Sequence, residues 1–107
     1  RDGRPPGKNK RVVMIEGQPA TPVMLVLGMK HQNWLKNEEF AKELGAKGNQ
    51  LYPGLFLPIY YAGDARYNQH LHPHALLMEF GDQYNSLEEA QRAAKAVARV
   101  LVEIIKG

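Results

Sequence analysis

Residues 75–81 read ALLMEFG and residues 85–90 read NSLEEA, and these two stretches decide the fold. The first is an apolar run that ends in glycine, which predicts a buried strand, and the second predicts the start of a helix. Glu79 is the one ionisable side chain in the run. An unpaired charge in an apolar setting is costly, so such a glutamate is protonated, paired with a cation, or used at a metal or substrate site. The alternative is that Glu79 lies on an edge strand and faces water.

The composition is typical of one globular domain. The chain has 107 residues, of which 44% are hydrophobic and 8% aromatic. This is enough for a hydrophobic core but small for an enzyme. No apolar run approaches the roughly 18 residues of a membrane-spanning helix, and no signal peptide or anchor is predicted. The absence of cysteine excludes disulfides and thiolate chemistry.

Positive charge is concentrated at the start of the chain. The net charge is +3, and five basic residues fall within the first eleven positions, together with prolines and glycines. Residues 1–11 are therefore predicted to form a basic loop that is either solvated or binds polyanions such as nucleic acid or anionic cell-wall polymers. No aromatic residue lies between these charges, as base stacking would require. Nucleic acid is therefore not expected as a partner.

The remaining segments predict alternating strands and helices. Residues 12–16 and 21–29 are predicted to pair as a hairpin, with a turn at 17–19. Asn33 is predicted to cap a helix that Gly45 and Gly48 weaken at its end. Residues 55–61 predict a short strand and residues 62–73 a loop. This order predicts an α/β fold, a mixed sheet with helices packed on it.

The last helix has the clearest local signals. Ser86 stands three residues before Glu89, which is the spacing of a capping box, so the helix is predicted to start near Leu87. Apolar residues then recur at helical spacing and predict a stripe that packs on a sheet or a helix. The stripe consists of Leu87, Ala90, Ala94, Val97, Leu101 and Ile104.

Several separated motifs occur together in a characteristic order. They are Arg1-Asp2-Gly3, Asn33-Trp34 with Asn37, Phe40-Ala41, Tyr52-Pro53-Gly54-Leu55, Tyr67-Asn68-Gln69, and the stretches 76–81 and 85–90. With these motifs the chain resembles, over essentially its whole length, the C-terminal part of the stage II sporulation protein P family. That family belongs with the zinc-dependent N-acetylmuramoyl-L-alanine amidases.

The resemblance implies a fold, a function and a location. The chain would be the C-terminal part of the catalytic domain, in a three-layer amidase-like (phosphorylase/hydrolase-like) fold. The whole protein would hydrolyse peptidoglycan, releasing the stem peptide from muramic acid and also cutting peptide cross-links, during engulfment in sporulation. It would act outside the cytoplasm at the sporulation septum, anchored to the membrane by an upstream segment. Its partners would be peptidoglycan and the stage II sporulation proteins D and M.

The resemblance also implies the site residues. In such amidases two histidines and a glutamate hold zinc, and a second glutamate, which Glu79 matches, activates the attacking water. The last zinc-binding histidine directly precedes the Arg-Asp pair, which is Arg1-Asp2 here, so all three ligands are expected upstream of this chain. The chain alone is expected to lack the metal and to be inactive. Sheet edges left exposed in it would favour self-association.

Three histidines at alternate positions form a second candidate cluster. An extended backbone would place His70, His72 and His74 on one face, where they could bind zinc adventitiously. Pro73 interrupts the stretch, and the alternative is that these side chains face solvent or pack the loop. His31 is predicted to form hydrogen bonds in a turn.

The segment 67–69 carries the candidate substrate-binding residues. The amides of Asn68 and Gln69 suit the backbone of a peptide or a sugar, and Tyr67 could stack on either. The alternative is that Asn68 and Gln69 tie the loop to the strand that follows. Asn85 is predicted to hold the turn before Ser86. Trp34 is predicted to lie in the core, with a substrate platform as the alternative.

Three functions from different classes remain open on the sequence. The first is part of a zinc amidase, with Glu79 as its base. The second is a non-catalytic module that binds peptidoglycan or another engulfment protein, which a pairing of Glu79 with Arg66 or a lysine would favour. The third is a basic nucleic-acid binder, based on residues 1–11 alone.

Overall fold

The computed structural model describes residues 10–65, 67 and 69–107. Most of the predicted basic loop, as well as Arg66 and Asn68, lies outside these residues. The elements in chain order are β1 (Val13–Ile15), β2 (Gln18–Ala20), β3 (Val23–Gly28), α1 (Trp34–Leu51), β4 (Tyr60–Ala62), a short 3₁₀ helix (Gln69–Leu71), β5 (Leu77–Phe80) and α2 (Leu87–Lys106). Two helices pack on a mixed sheet, so the predicted α/β class is confirmed. The third layer expected for the whole catalytic domain stays a prediction.

The main sheet has β3 at its centre, in the order β4-β3-β5. Strand β4 runs parallel to β3, which α1 makes possible as the crossover between them, and β5 runs antiparallel. Alternation divides the sheet into two faces. Val23 and Leu25 lie on the face that both helices cover. The opposite face, here called the open face, carries Met24, Val26, Tyr60, Leu77 and Glu79, and no helix of the described residues packs on it.

The first hairpin differs from its prediction. Strand β1 pairs with β2, and β3 instead pairs with β4 and β5 in the other sheet. The turn is Glu16-Gly17, with φ values of 51° and 80°, which is the left-handed geometry of a tight two-residue hairpin turn. Because the turn comes one residue earlier than predicted, the returning strand ends at Ala20.

Helix α1 continues past the two glycines that were predicted to weaken its end. It runs through Gly45 and Gly48 to Leu51. The ring of Phe56 lies so close to Gly48 that a Cβ atom there would overlap it. Glycine at this position is therefore required for packing and does not end the helix.

Helix α2 begins as predicted, but it buries a different face. The capping box is formed, because Ser86 Oγ accepts from the backbone N–H of Glu89 and the Glu89 side chain accepts from the N–H of Ser86. The predicted stripe is partly wrong, since Leu87 is 62% exposed. The buried apolar positions are Ala93, Ala96, Val97 and Val100. Small residues face inward because α2 packs against α1 and β2 at the same time.

Candidate functional site

Strand β5 places Glu79 on the open face of the sheet. Glu79 lies opposite Met24 of β3, while its neighbours Met78 and Phe80 contact the core on the other face. Residues next to each other on a strand point to opposite faces, so a carboxylate between two core residues must point away from the core. The prediction that Glu79 lies at the end of a strand next to Gly81 is confirmed.

The carboxylate of Glu79 is partly withdrawn from water. Its Oε2 atom is buried and has no hydrogen-bond partner among the residues that the structure describes. A buried oxygen without a partner costs about 1–3 kcal/mol. This atom therefore does not stabilise the described fold, and it is placed to receive a hydrogen bond from a bound group. Arg66, the cation with which the binding-module hypothesis pairs Glu79, lies outside the described residues.

Two spaces adjoin Glu79. A narrow cleft of about 10 Å³ lies between Glu79 and Arg11, with Pro22, Met24, Leu57 and Gly81 as its other walls. A larger cavity of about 320 Å³ is lined by Met24, Val26, Tyr60, Tyr67 and Glu79. This volume is at the lower end of the range for ligand pockets, about 300–1,000 Å³. A carboxylate at the wall of such a cavity can reach a bound water or substrate proton, as a general base must.

The other concavities of the described residues lie away from Glu79. One of about 710 Å³ lies between α1 and the end of α2, with Phe40, Leu101 and Ile104 in its walls. Another of about 250 Å³ lies between the first hairpin and α2, where Arg92, Lys95 and Arg99 surround it. Neither contains a buried ionisable group without a partner, so Glu79 marks the better candidate site.

The residues of the predicted substrate-binding segment have different positions. Tyr67 is 47% exposed and lines the larger cavity with Glu79. Gln69 is 1% exposed; its Oε1 accepts from the N–H of Gly28 and its Nε2 donates to the carbonyl of Val26, each at 2.8 Å. The Gln69 amide thus forms with β3 the pair of hydrogen bonds that a peptide group of an adjacent strand would form. This contact favours the alternative that Gln69 anchors the loop, although to β3 and not to the strand that follows.

The histidines surround the start of α1. His74 stacks on Phe40 with ring centres 4.9 Å apart, and His72 Nδ1 accepts from the backbone N–H of His74 at 3.0 Å. His70 meets the ring of His31 edge-on at 6.3 Å. Within the described residues no three histidine, aspartate or glutamate side chains are grouped closely enough to hold a metal.

The predicted turn at His31 is confirmed. Its Nε2 lies 2.9 Å from the carbonyl oxygen of Gly28, and its Nδ1 accepts from the N–H of Asn33 at 3.1 Å. The Asn33 side chain does not cap α1 as predicted; it donates instead to the carbonyl of His70. The start of α1 is therefore tied to the loop that carries the other histidines.

A buried polar network directly after Glu79 was not foreseen. Asp82, with no exposed surface, forms an ion pair with Arg11, and Glu89 forms one with Lys10 at 2.7 Å. Asn85 accepts from the N–H of Asp82 and donates to the carbonyl of Arg11, so its predicted role in the turn is confirmed. The network fixes the first described residues beside the strand end that carries Glu79. Its only signal in the sequence is the pair of basic residues at 10 and 11.

Comparison with known proteins identifies the family. The family model for stage II sporulation protein P matches residues 1–102 of the chain. The chain belongs to the stage II sporulation protein P family. Stage II sporulation protein P of Bacillus subtilis strain 168 is 39% identical to it over 101 residues. The match covers 91% of this chain and 25% of that relative, so the chain spans about a quarter of the relative's length.

The match confirms the resemblance seen in the sequence motifs. No solved structure matches the chain. Within the described residues, no helix has the length and apolar character needed to cross a membrane. As a member of the stage II sporulation protein P family, the chain is related to a sporulation protein, and Glu79 lies within the matched residues.

Proposed function

We propose that the whole protein to which this chain belongs, a member of the stage II sporulation protein P family, is a zinc-dependent peptidoglycan hydrolase with Glu79 as its general base. The reaction would be that of an N-acetylmuramoyl-L-alanine amidase, with cleavage of peptide cross-links as a second activity. It would act in the septal cell wall during engulfment. The observation that carries the proposal is the buried Oε2 of Glu79 at the wall of a cavity, which has no hydrogen-bond partner in the described part of this chain of the family.

The proposed role of Glu79 is proton transfer. Its carboxylate would take a proton from the attacking water and then donate it to the amine that leaves as the amide bond breaks. The open face leaves room for a substrate on this side of the sheet, because both helices pack on the other side.

The described residues do not form a zinc site, so no step of the reaction is assigned to metal ligands in this chain. The proposal places the ligands upstream, where the family resemblance puts them. The metal, once bound there, would supply Lewis-acid polarisation of the amide carbonyl. The proposed location outside the cytoplasm, the membrane anchor, and the partners, peptidoglycan and stage II sporulation proteins D and M, likewise belong to the whole protein.

The test is hydrolysis of purified cell wall by the full-length protein with added zinc. We expect Glu79→Gln to keep the fold and to lower the release of soluble muropeptides by about 100-fold or more, because the base is lost and the shape is kept. Glu88→Gln is the matched control, since Glu88 is exposed on the first turn of α2. Near-normal activity of Glu79→Gln would overturn its role. No hydrolysis by the wild-type protein would favour a binding module.

A further inference from the structure

Two tyrosines flank Glu79 around the 320 Å³ cavity. Tyr60 lies on β4 in register with Val26, so alternation turns it to the open face. Tyr67 comes from the loop after β4. Their exposed fractions are 57% and 47%. Single exposed aromatic residues are common, but two rings that border one cavity next to a partly buried carboxylate form a surface that a ligand can cover.

The backbone of Tyr67 is held in an unfavourable conformation. Its φ of 51° lies in the left-handed region, which costs a non-glycine residue roughly 1–2 kcal/mol. The flanking contacts keep it there, since Lys30 donates its N–H to the carbonyl of Ala65 on one side and Gln69 is bound to β3 on the other. Strain of this kind is retained where the surrounding structure fixes a side chain for binding.

The charge of the cavity limits what it can bind. Among the described residues that line it, Glu79 and the two tyrosines are the ionisable groups, and none is a cation. Arg11 lines the separate narrow cleft beside Glu79 and is paired with Asp82, so a phosphate or the carboxylates of a stem peptide in the larger cavity would meet the negative charge of Glu79 and no cation among its described lining residues. A neutral sugar ring fits this cavity better. Its apolar face can stack on the flat rings of the tyrosines, and its hydroxyl groups can form hydrogen bonds with theirs.

We infer that Tyr60 and Tyr67 bind the saccharide part of the substrate, so that the bond to be cut lies within reach of Glu79. This inference rests on the proposed function and adds the two residues that orient the sugar. The cavity has room for about one sugar ring at the lower end of ligand-pocket volumes. Holding that ring fixes the adjacent amide relative to the carboxylate, which is the positioning that accelerates a reaction between bound groups.

The test measures binding separately from hydrolysis. In the full-length Glu79→Gln protein, the dissociation constant is measured for N-acetylmuramoyl-dipeptide and for the same dipeptide with a simple acetyl group in place of the sugar. We expect Tyr60→Ala and Tyr67→Ala each to weaken binding of the sugar-bearing ligand about tenfold, a loss at the upper end of what an aromatic contact contributes. Binding of the acetyl dipeptide should be unchanged.

Tyr61→Ala is the matched control. Tyr61 is the next residue of β4, is 42% exposed and points to the helix-covered face, where its hydroxyl donates to Glu38 at 2.6 Å. The Tyr61→Ala substitution should leave both dissociation constants unchanged. Tyr60→Phe and Tyr67→Phe keep the rings and should retain most of the binding. Unfolding midpoints of all variants show whether each one is folded.

Three results would overturn the inference. They are unchanged sugar binding in folded alanine variants, an equal loss for both ligands, and a loss in the phenylalanine variants as large as in the alanine variants. Failure of the proposed function gives a different result, because it appears in the hydrolysis assay, either as no hydrolysis by the wild-type protein or as hydrolysis that does not depend on Glu79.

Discussion

Gly81 is the residue that lets the chain leave β5 directly after Glu79. Its φ of 71° is left-handed, and a Cβ atom there would lie 2.6 Å from both Asn85 Oδ1 and Thr21 Cγ2. We expect Gly81→Ala to lower the free energy of unfolding by about 2 kcal/mol or more, from backbone strain and overlap together. Urea unfolding measures this difference.

Gly45→Ala is the control for Gly81. Gly45 lies within α1, and nothing lies within 4 Å of the position of its added Cβ. Alanine there should raise the free energy of unfolding by about 0.5–1 kcal/mol. Equal effects at the two glycines would show that the turn after Glu79 is not constrained as the structure indicates.

Glu89 makes the stability depend on pH. A hydrogen bond from Lys10, then one from the backbone of Ser86, holds its pKa below the ordinary 4.5, while burial opposes them. A lowered pKa in the folded state means that the unfolded chain binds the proton more tightly. The stabilisation is therefore present above pH 4.5 and is lost as the pH falls through the folded-state pKa.

Glu89→Gln tests this effect without removing the helix cap, because glutamine can also accept the hydrogen bond from Ser86. The wild-type protein should be more stable than the variant at pH 7, and the difference should shrink as the pH is lowered below 4.5. Unfolding free energies across this range measure it. A difference that stays constant with pH would contradict the ion pair with Lys10.

At the scale of elements, α1 is fixed to the loop before β5 by Asn37. This residue has no exposed surface, and its side-chain amide donates to the carbonyls of His72, Pro73 and Ala75 at 3.0–3.1 Å. Asn37→Asp would replace the donor with a buried negative charge that faces three carbonyl oxygens. We expect a loss of about 3 kcal/mol or more in the free energy of unfolding.

Gln50→Glu is the control for Asn37→Asp. It introduces the same charge on α1, at an exposed position near the helix end. It should cost no more than about 0.5 kcal/mol. Chemical denaturation at neutral pH compares the two variants, and similar losses would show that the amide of Asn37 does not hold the loop.

Elements with local signals were predictable, and those defined by distant contacts were not. Strand β5 and the capped start of α2 follow from an apolar run and from the spacing of Ser86 and Glu89. The partner of β3 could not be deduced, because its neighbours come from residues 60–62 and 77–80. The buried face of α2 depends on where α1 and the first hairpin contact the helix. The observed buried face is therefore rotated about the helix axis relative to the predicted stripe.

The same distinction holds at the candidate site. Glu79 was found from the conflict between its charge and its apolar neighbours. Tyr60 was missed as a cavity residue because its face depends on the register of β4 with β3. The buried amide of Gln69 pairs with β3 across 41 and 43 positions of sequence, a contact that no local pattern shows.

At the scale of the whole molecule, the main sheet as formed by the described residues has an edge strand on each side, β4 and β5. Its open face adds apolar side chains, including Leu77. We expect the 107-residue chain to self-associate through this surface, because unpaired strand edges and an apolar face favour pairing with another copy. Sedimentation should show a mean mass that rises with concentration, and Leu77→Lys should weaken the association at least tenfold.

Leu71→Lys is the control for self-association. Leu71 is 72% exposed and lies in the 3₁₀ helix, not on a strand of the main sheet. Lysine there adds the same charge and should not change the mean mass. A wild-type chain that stays monomeric at all concentrations would contradict the expected role of the open face.

The contacts of Arg11 also have a kinetic consequence. Arg11 meets Asp82 across 71 positions of the chain and Asn85 across 74. Joining such distant segments has an entropic cost that must be met before the contacts form. The β3-α1-β4 unit is built from neighbouring segments, whereas the first hairpin packs against α2 at the far end of the chain. Folding should therefore finish with a slow closing step at this junction, and the same junction should open early when the protein unfolds.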